Sequence, residues 1–189
     1  TGNSNKLYIS KLKAVNTQST VVQTGSGNIV NGQTSGSVSE ILTQNGTGNS
    51  ISYGISTGGK FMATQIGLKN IVSVKSKAAK DVKITTHQTG TENNIYAVND
   101  GGNDIDVNFL QNGSKNYTGF SNTGNNVLAN ILQYGSTNNF AFENKASNVT
   151  LYGYQNGSNN KASVLNKKDC ATFDVRQTGT GNVANVSNI

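Results

Sequence analysis

The chain contains no proline and no tryptophan, and only one cysteine, one histidine and one methionine among 189 residues. Each shortage closes a route. The lone thiol, Cys170, cannot build a disulfide framework within the chain. With His87 as the one histidine, no His/Cys metal cluster can be assembled from a single chain. Hydrophobic residues make up 33%, too few for a thick globular core, and charged residues 13%, too few for a charge-swollen disordered chain. No apolar run approaches the length of a membrane span, so membrane insertion is not expected. No secretory leader is visible, so the chain is read either as a mature secreted segment or as one that is not secreted. Proline removes a ladder donor and marks loops or sheet edges, so its absence suits a backbone paired almost throughout.

What is present is Asn, Ser, Thr, Gln and 22 glycines, the residues of tight turns and amide ladders. Composition leaves two readings, a disordered Gln/Asn-rich segment or a repetitive β-structure. The net charge of +6 would suit nucleic acid, acidic polysaccharide or an anionic surface. Yet the lysines are scattered, apart from Lys75, Lys77, Lys80 and Lys83. The expectation is therefore solubility and contact with acidic matrix polymers, with no specific nucleic acid as partner.

Periodicity decides between the two structural readings. The segment Gln-x-Gly-x-x-Asn occurs eight times, beginning at Gln23, Gln44, Gln65, Gln88, Gln111, Gln133, Gln155 and Gln177, with spacings of 21 to 23 residues. Its glycine recurs as Gly25, Gly46, Gly67, Gly90, Gly113, Gly135, Gly157 and Gly179. Its asparagine recurs as Asn28, Asn49, Asn70, Asn93, Asn116, Asn138, Asn160 and Asn182. Gly and Asn tolerate left-handed backbone angles, so the segment reads as a turn and its glycines as turn glycines. The flanks alternate with period two, as strands with one buried face do. Counting from each Gln as zero, positions −4, −2, +7 and +9 should face inward. Those 32 slots hold 26 apolar residues, and of the charged residues only Glu40 falls in them.

The fold expected is all-β: a β-solenoid of eight stacked strand-turn-strand rungs of about 22 residues, plus an N-terminal half-rung. Residues 1–16 form the half-repeat and its connection, and 17–189 the solenoid, a single domain. The opening Thr1-Gly2-Asn3-Ser4-Asn5 is a repeat turn lacking its Gln, followed by inward Leu7 and Ile9. No helix is expected; Lys77-Ala78-Ala79-Lys80 has the propensity but is too short. Stacked glutamines can donate an amide to one neighbouring rung and accept from the other, which satisfies groups that are costly to bury unpaired. The asparagines should form a second such ladder. The last repeat, from Ala171 to Asn188, is as regular as an interior one and is followed only by Ile189, with no capping helix in view. Open edges at both ends would make each molecule a template for the next, in head-to-tail homopolymers.

The pattern resembles the curlin repeat of bacterial curli, Ser-x5-Gln-x-Gly-x-x-Asn-x-Ala-x3-Gln, across all eight repeats, with every Gln, Gly and Asn matched. The resemblance is to the major curlin subunit. It implies secreted subunits that polymerise into extracellular cross-β amyloid fibres of the cell surface, serving biofilm matrix and adhesion. It also implies a nucleator subunit and an outer-membrane export channel as partners. The sequence departs from the pattern at three places. The family's Ser is mostly aliphatic here, as Val38, Val82, Ile105, Val127 and Val149. Its Ala is kept only at Ala162 and Ala184. Its last Gln is Asn at Asn99, Asn122, Asn144, Asn166 and Asn188, which should shorten one ladder.

No chemistry is assigned to individual side chains: catalytic, cofactor and metal sites are all read as absent. His87 falls on an outward strand position. Asp100, Asp104 and Asp106 bracket Gly101-Gly102, but lack the tandem pattern of calcium-binding solenoids and read as a solvated turn. Sequons such as Asn148-Val149-Thr150 are expected by chance in an Asn-rich chain. A nucleator-type curlin subunit remains an alternative, suggested by the basic charge. So does a surface- or ice-binding solenoid, because position +3 is Ser or Thr in seven of eight repeats. A carbohydrate-active β-helix enzyme would need converging acids, which nine scattered Asp and Glu do not supply.

Overall fold

The structure, a computed structural model, describes residues 1–12, 18–35, 39–54, 60–77, 81–100, 104–123, 126–145, 148–167 and 171–188. Cys170, Lys80 and most of the Gly101-Gly102 turn lie outside the described residues. The alternation of polar and apolar residues produces strands, and every paired strand runs parallel to its neighbours. Eight nine-residue strands make one sheet: Gln18–Ser26, Ser39–Thr47, Lys60–Leu68, Lys83–Thr91, Asp106–Ser114, Leu128–Ser136, Thr150–Ser158 and Thr172–Thr180. They stack in sequence order, so each is the first half of a rung.

The second halves form a facing sheet of ten strands, which starts with Lys6–Leu7 from the N-terminal half-rung and ends with Val183–Asn188. Within the long sheet the register is strict: Gln pairs with Gln and Gly with Gly at each of the seven junctions. The expected β-solenoid of eight rungs and a half-rung is the architecture observed.

Between the sheets lies one thin apolar column that includes Leu42, Phe61, Ile95, Phe109, Ile131, Phe140 and Leu151, all fully buried. The inward set is wider than four positions per rung. Val82, Ile105, Val127 and Val149 at −6 are buried, as are Asn122, Asn144 and Asn166 at +11. Period-two alternation carried one step further in each direction reaches these positions, and they close the second corner of the rung. Glycines make room for large neighbours. A Cβ on Gly153 would lie 2.5 Å from the Phe140 ring, and one on Gly32 would lie 2.3 Å from the Tyr53 hydroxyl.

The corner geometry corrects the assignment of the repeat glycines to the turn. All eight lie inside the long strands, in register with one another, with φ between +102° and +133°. The turn itself hinges on position +4, which is left-handed in every rung. Gly27, Gly48 and Gly181 hold it in three rungs, and Lys69, Glu92, Lys115, Thr137 and Asn159, with φ of 54° to 56°, hold it in the other five. A left-handed non-glycine residue costs about 1–2 kcal/mol, so position +4 tolerates side chains at a modest penalty. Position +2 does not, because a Cβ on Gly113 would sit 1.9 Å from the carbonyl oxygen of Gly135 in the next rung.

The rung of Gln111 is interrupted within its second half, which is split into Tyr117–Thr118 and Ser121–Asn122. At the break Phe120 takes φ 109° and turns its ring inward, 5.8 Å from Phe109 and 5.5 Å from Phe142. A bulky residue at that angle is strained, and burial of the ring within a cluster of three phenylalanines offsets the cost.

These contrasts set an expected outcome. Gly113→Ala should lower unfolding stability by roughly 3 kcal/mol or more, combining backbone strain with overpacking against the next rung. Gly27→Ala has no atom closer than 3.9 Å to its new methyl group. It should cost about 1–2 kcal/mol. Chemical denaturation of the two variants checks this, and equal losses would contradict the close-approach role of position +2.

Amide ladders as the candidate functional site

The sixteen glutamines and asparagines of the repeat line the first corner, and the interior ones are fully buried. A buried amide left unpaired costs about 1–3 kcal/mol, so each must find partners along the stack. The glutamines do so directly. Nε2 of Gln23 donates to Oε1 of Gln44 at 2.8 Å, and the same bond repeats through Gln65, Gln88, Gln111, Gln133 and Gln155 to Gln177, at 2.7–2.9 Å. The second Nε2 proton reaches a main-chain carbonyl of the facing sheet in the preceding rung, as from Gln88 to Ile71 at 2.9 Å and from Gln155 to Asn139 at 2.8 Å. Each glutamine therefore ties its rung to the next and its own sheet to the opposite one.

The asparagines also chain as like amides, Nδ2 of each from Asn70 to Asn182 donating to Oδ1 of the preceding one at 2.9–3.2 Å, and they add main-chain partners. Asn93 Nδ2 donates to the carbonyl of Gly113 in the next rung at 2.9 Å, and Asn93 Oδ1 accepts the main-chain N–H of Asn116 at 3.1 Å. The pattern holds from Asn28 to Asn160. The φ of the +2 glycine makes this possible by swinging its carbonyl out of the strand plane toward the preceding asparagine. Gly and Asn of the repeat are thus two halves of one inter-rung bond, a coupling that spacing alone did not reveal. The half-rung shares it: Asn5 Nδ2 donates to the Gly25 carbonyl at 3.0 Å and Asn5 Oδ1 accepts from Asn28 N–H at 2.9 Å.

The substitutions of Asn for the family's last Gln do not abolish pairing. Asn122 Nδ2 donates to Asn144 Oδ1, and Asn188 Nδ2 donates to Asn166 Oδ1 at 2.8 Å, which makes two amide pairs at the second corner, with the buried Asn144 Nδ2 unpaired between them. Burial of these side chains followed from the same alternation.

Glu40, the charged residue in an inward slot, is fully buried. Its Oε2 accepts from the Tyr53 hydroxyl at 2.9 Å and from Ser19 at 3.3 Å. Burial, with the neighbouring carboxylate second, pushes the Tyr53 phenol well above its usual pKa. A phenol raised in this way contributes stability below its unfolded pKa and loses it as pH rises through the folded value. The Tyr53 contribution is therefore constant across neutral pH and declines only in strong alkali.

Other weighed residues are accounted for locally. His87 Nε2 lies 3.0 Å from Thr89 Oγ1. Asp100 and Asp106 pair with Lys77 at 3.8 Å and Lys83 at 3.2 Å, linking neighbouring rungs through exposed ion pairs. Such pairs contribute about 0–1 kcal/mol.

The glutamine–glutamine and asparagine–glycine bonds share one direction: in both, the side-chain amide donates toward the C-terminal side of the stack. The C-terminal face of any rung thus offers side-chain donors and an asparagine oxygen, and the N-terminal face offers a glutamine oxygen, a glycine carbonyl and an asparagine N–H. Among the described residues no strand covers Val183–Asn188, and Val183 is 65% exposed. Comparison with protein-family models and with curated proteins produced no match.

Gln111 tests the ladder, since it accepts from Gln88 and donates to Gln133, Thr118 and the Asn94 carbonyl. Gln111→Leu should cost about 1–3 kcal/mol for the partners it orphans. Gln111→Lys should cost more, because a buried ammonium has no counter-charge there. Stability curves for both variants check the order; equal tolerance would place the side chain in solvent.

Proposed function

We propose that the chain is the structural subunit of an extracellular, curli-like amyloid fibre and assembles head to tail. The observation that carries this reading is the directional, repeated complementarity of the rung faces. Seven junctions inside the chain use the same bonds in the same direction. The face left uncovered at Val183–Asn188 is chemically the partner of the face presented by the half-rung. Stacking a second copy there would repeat the asparagine part of the interior junction: Asn182 would donate to the Gly2 carbonyl and accept from the Asn5 N–H of its neighbour, while Gln177 would meet no glutamine, which the half-rung lacks. The interface is heterologous and does not close on itself, which is the condition for a filament.

The curlin resemblance of the Gln, Gly and Asn positions supports the same reading and extends it to biofilm matrix and adhesion. A nucleating subunit and an outer-membrane export channel would then be the partners in assembly. The basic charge fits contact with acidic matrix polymers.

Purified chain at micromolar concentration should form unbranched fibres after a lag that preformed fibre removes. Their diffraction should show a meridional spacing of about 4.8 Å. Electron microscopy and thioflavin fluorescence follow the assembly. A chain that stays monomeric for days, with or without seed, would overturn the fibre reading while leaving the solenoid intact.

A further inference from the structure

The outer face of the long sheet carries tyrosines that the ladders do not use. Tyr134 and Tyr154 lie on neighbouring rungs, offset diagonally, since Leu132 pairs with Tyr154 and Tyr134 with Asn156. Their ring centroids are 5.9 Å apart at an interplanar angle of 49°. Among the described residues no other two tyrosine rings are in contact. Both side chains are half-buried at the surface, and Tyr154 also borders an open hollow with Asn108, Asn130, Leu132 and Tyr152. Tyr53, by contrast, is buried and its hydroxyl is committed to Glu40.

We infer that Tyr134 and Tyr154 form a site of oxidative modification, where a peroxide with a one-electron peroxidase joins them as an intramolecular dityrosine. Each phenol gives up one electron and one proton. The two phenoxyl radicals join through a carbon–carbon bond between ring positions ortho to oxygen, and tautomerisation moves the two ring hydrogens to the oxygens. The pair loses two hydrogens in total, and one hydrogen peroxide is reduced to two waters. Proximity favours this coupling over encounter between separate chains, because the rings are already held side by side. The rungs keep their positions and only the rings pivot about their Cβ–Cγ bonds. The product is a covalent staple between adjacent rungs on the face away from the core, and it does not depend on the fibre reading.

The test treats the folded full chain with hydrogen peroxide and peroxidase. Dityrosine fluorescence should appear while the denatured product keeps the mass of one chain less two hydrogens. Cleavage at Lys115, Lys145 and Lys161 separates the two residues onto peptides 116–145 and 146–161, which should be recovered joined, with fragmentation placing the link at Tyr134 and Tyr154. Tyr134→Phe and Tyr154→Phe, which keep the ring packing, should each lower the yield roughly tenfold, as should unfolding in denaturant before oxidation. Tyr152→Phe should leave the link in place. The inference is overturned if no dityrosine forms, if Tyr134→Phe leaves the yield intact, or if the links join separate chains or other tyrosines.

Discussion

The structure depends on how closely two backbones can approach at one corner. Where the repeat glycine of one rung meets that of the next, a Cβ would fall 1.7–2.0 Å from a carbonyl oxygen at every covered position. Only glycine permits that approach, and only a positive φ turns the carbonyl toward the preceding asparagine. Once that bond is made, the rungs are held in a single register, because a slip of one residue would place a side chain in the contact. The glutamine ladder, the apolar column and the facing sheet all inherit their alignment from it.

The ladders also account for how so thin a core can be sufficient. Two layers of side chains cannot bury the area of a globular interior, and of the 47 buried residues described, glycine aside, 17 are Gln or Asn. In an ordinary core that amide content would be a liability. Here a translation of one rung carries every donor onto an acceptor, so each interior side-chain amide of the first corner is satisfied by its copy. Polar groups in such a network specify one alignment, which apolar packing alone does only weakly. The cost falls on irregular places: Phe120, with its strained φ, and Glu40, which departs from its column and requires Tyr53 and Ser19 around it.

The overall architecture was legible because Gln, Gly and Asn recur at fixed offsets and the flanks alternate with period two. Inward placement of Leu42, Phe109 and Phe140 followed from parity alone. The left-handed +4 position was not legible, since Lys69, Glu92 and Thr137 carry no turn signal and owe their conformation to the rungs on either side. Nor was the Gly–Asn bond, because the asparagine's partner is a main-chain carbonyl some twenty residues away and leaves no mark on side-chain chemistry. The asparagines at the second corner, Asn122, Asn144 and Asn166, were visible as substitutions, and their burial follows once the alternation is carried one step past position +9.

Although the backbone repeats, the interior does not. Gly153 leaves the space that the Phe140 ring occupies, and Gly32 leaves that of Tyr53. At the position equivalent to Gly153 other rungs carry Leu42, Phe109 or Ile131, none of which would leave room for that ring. Each level therefore recognises its own neighbour by volume, much as letters in a word fix their order although all share one typeface. A strand exchanged with another copy one level out of step would satisfy every amide and still fail to fit. The molecule is a periodic scaffold with an aperiodic filling, and that filling gives each rung an address along the axis.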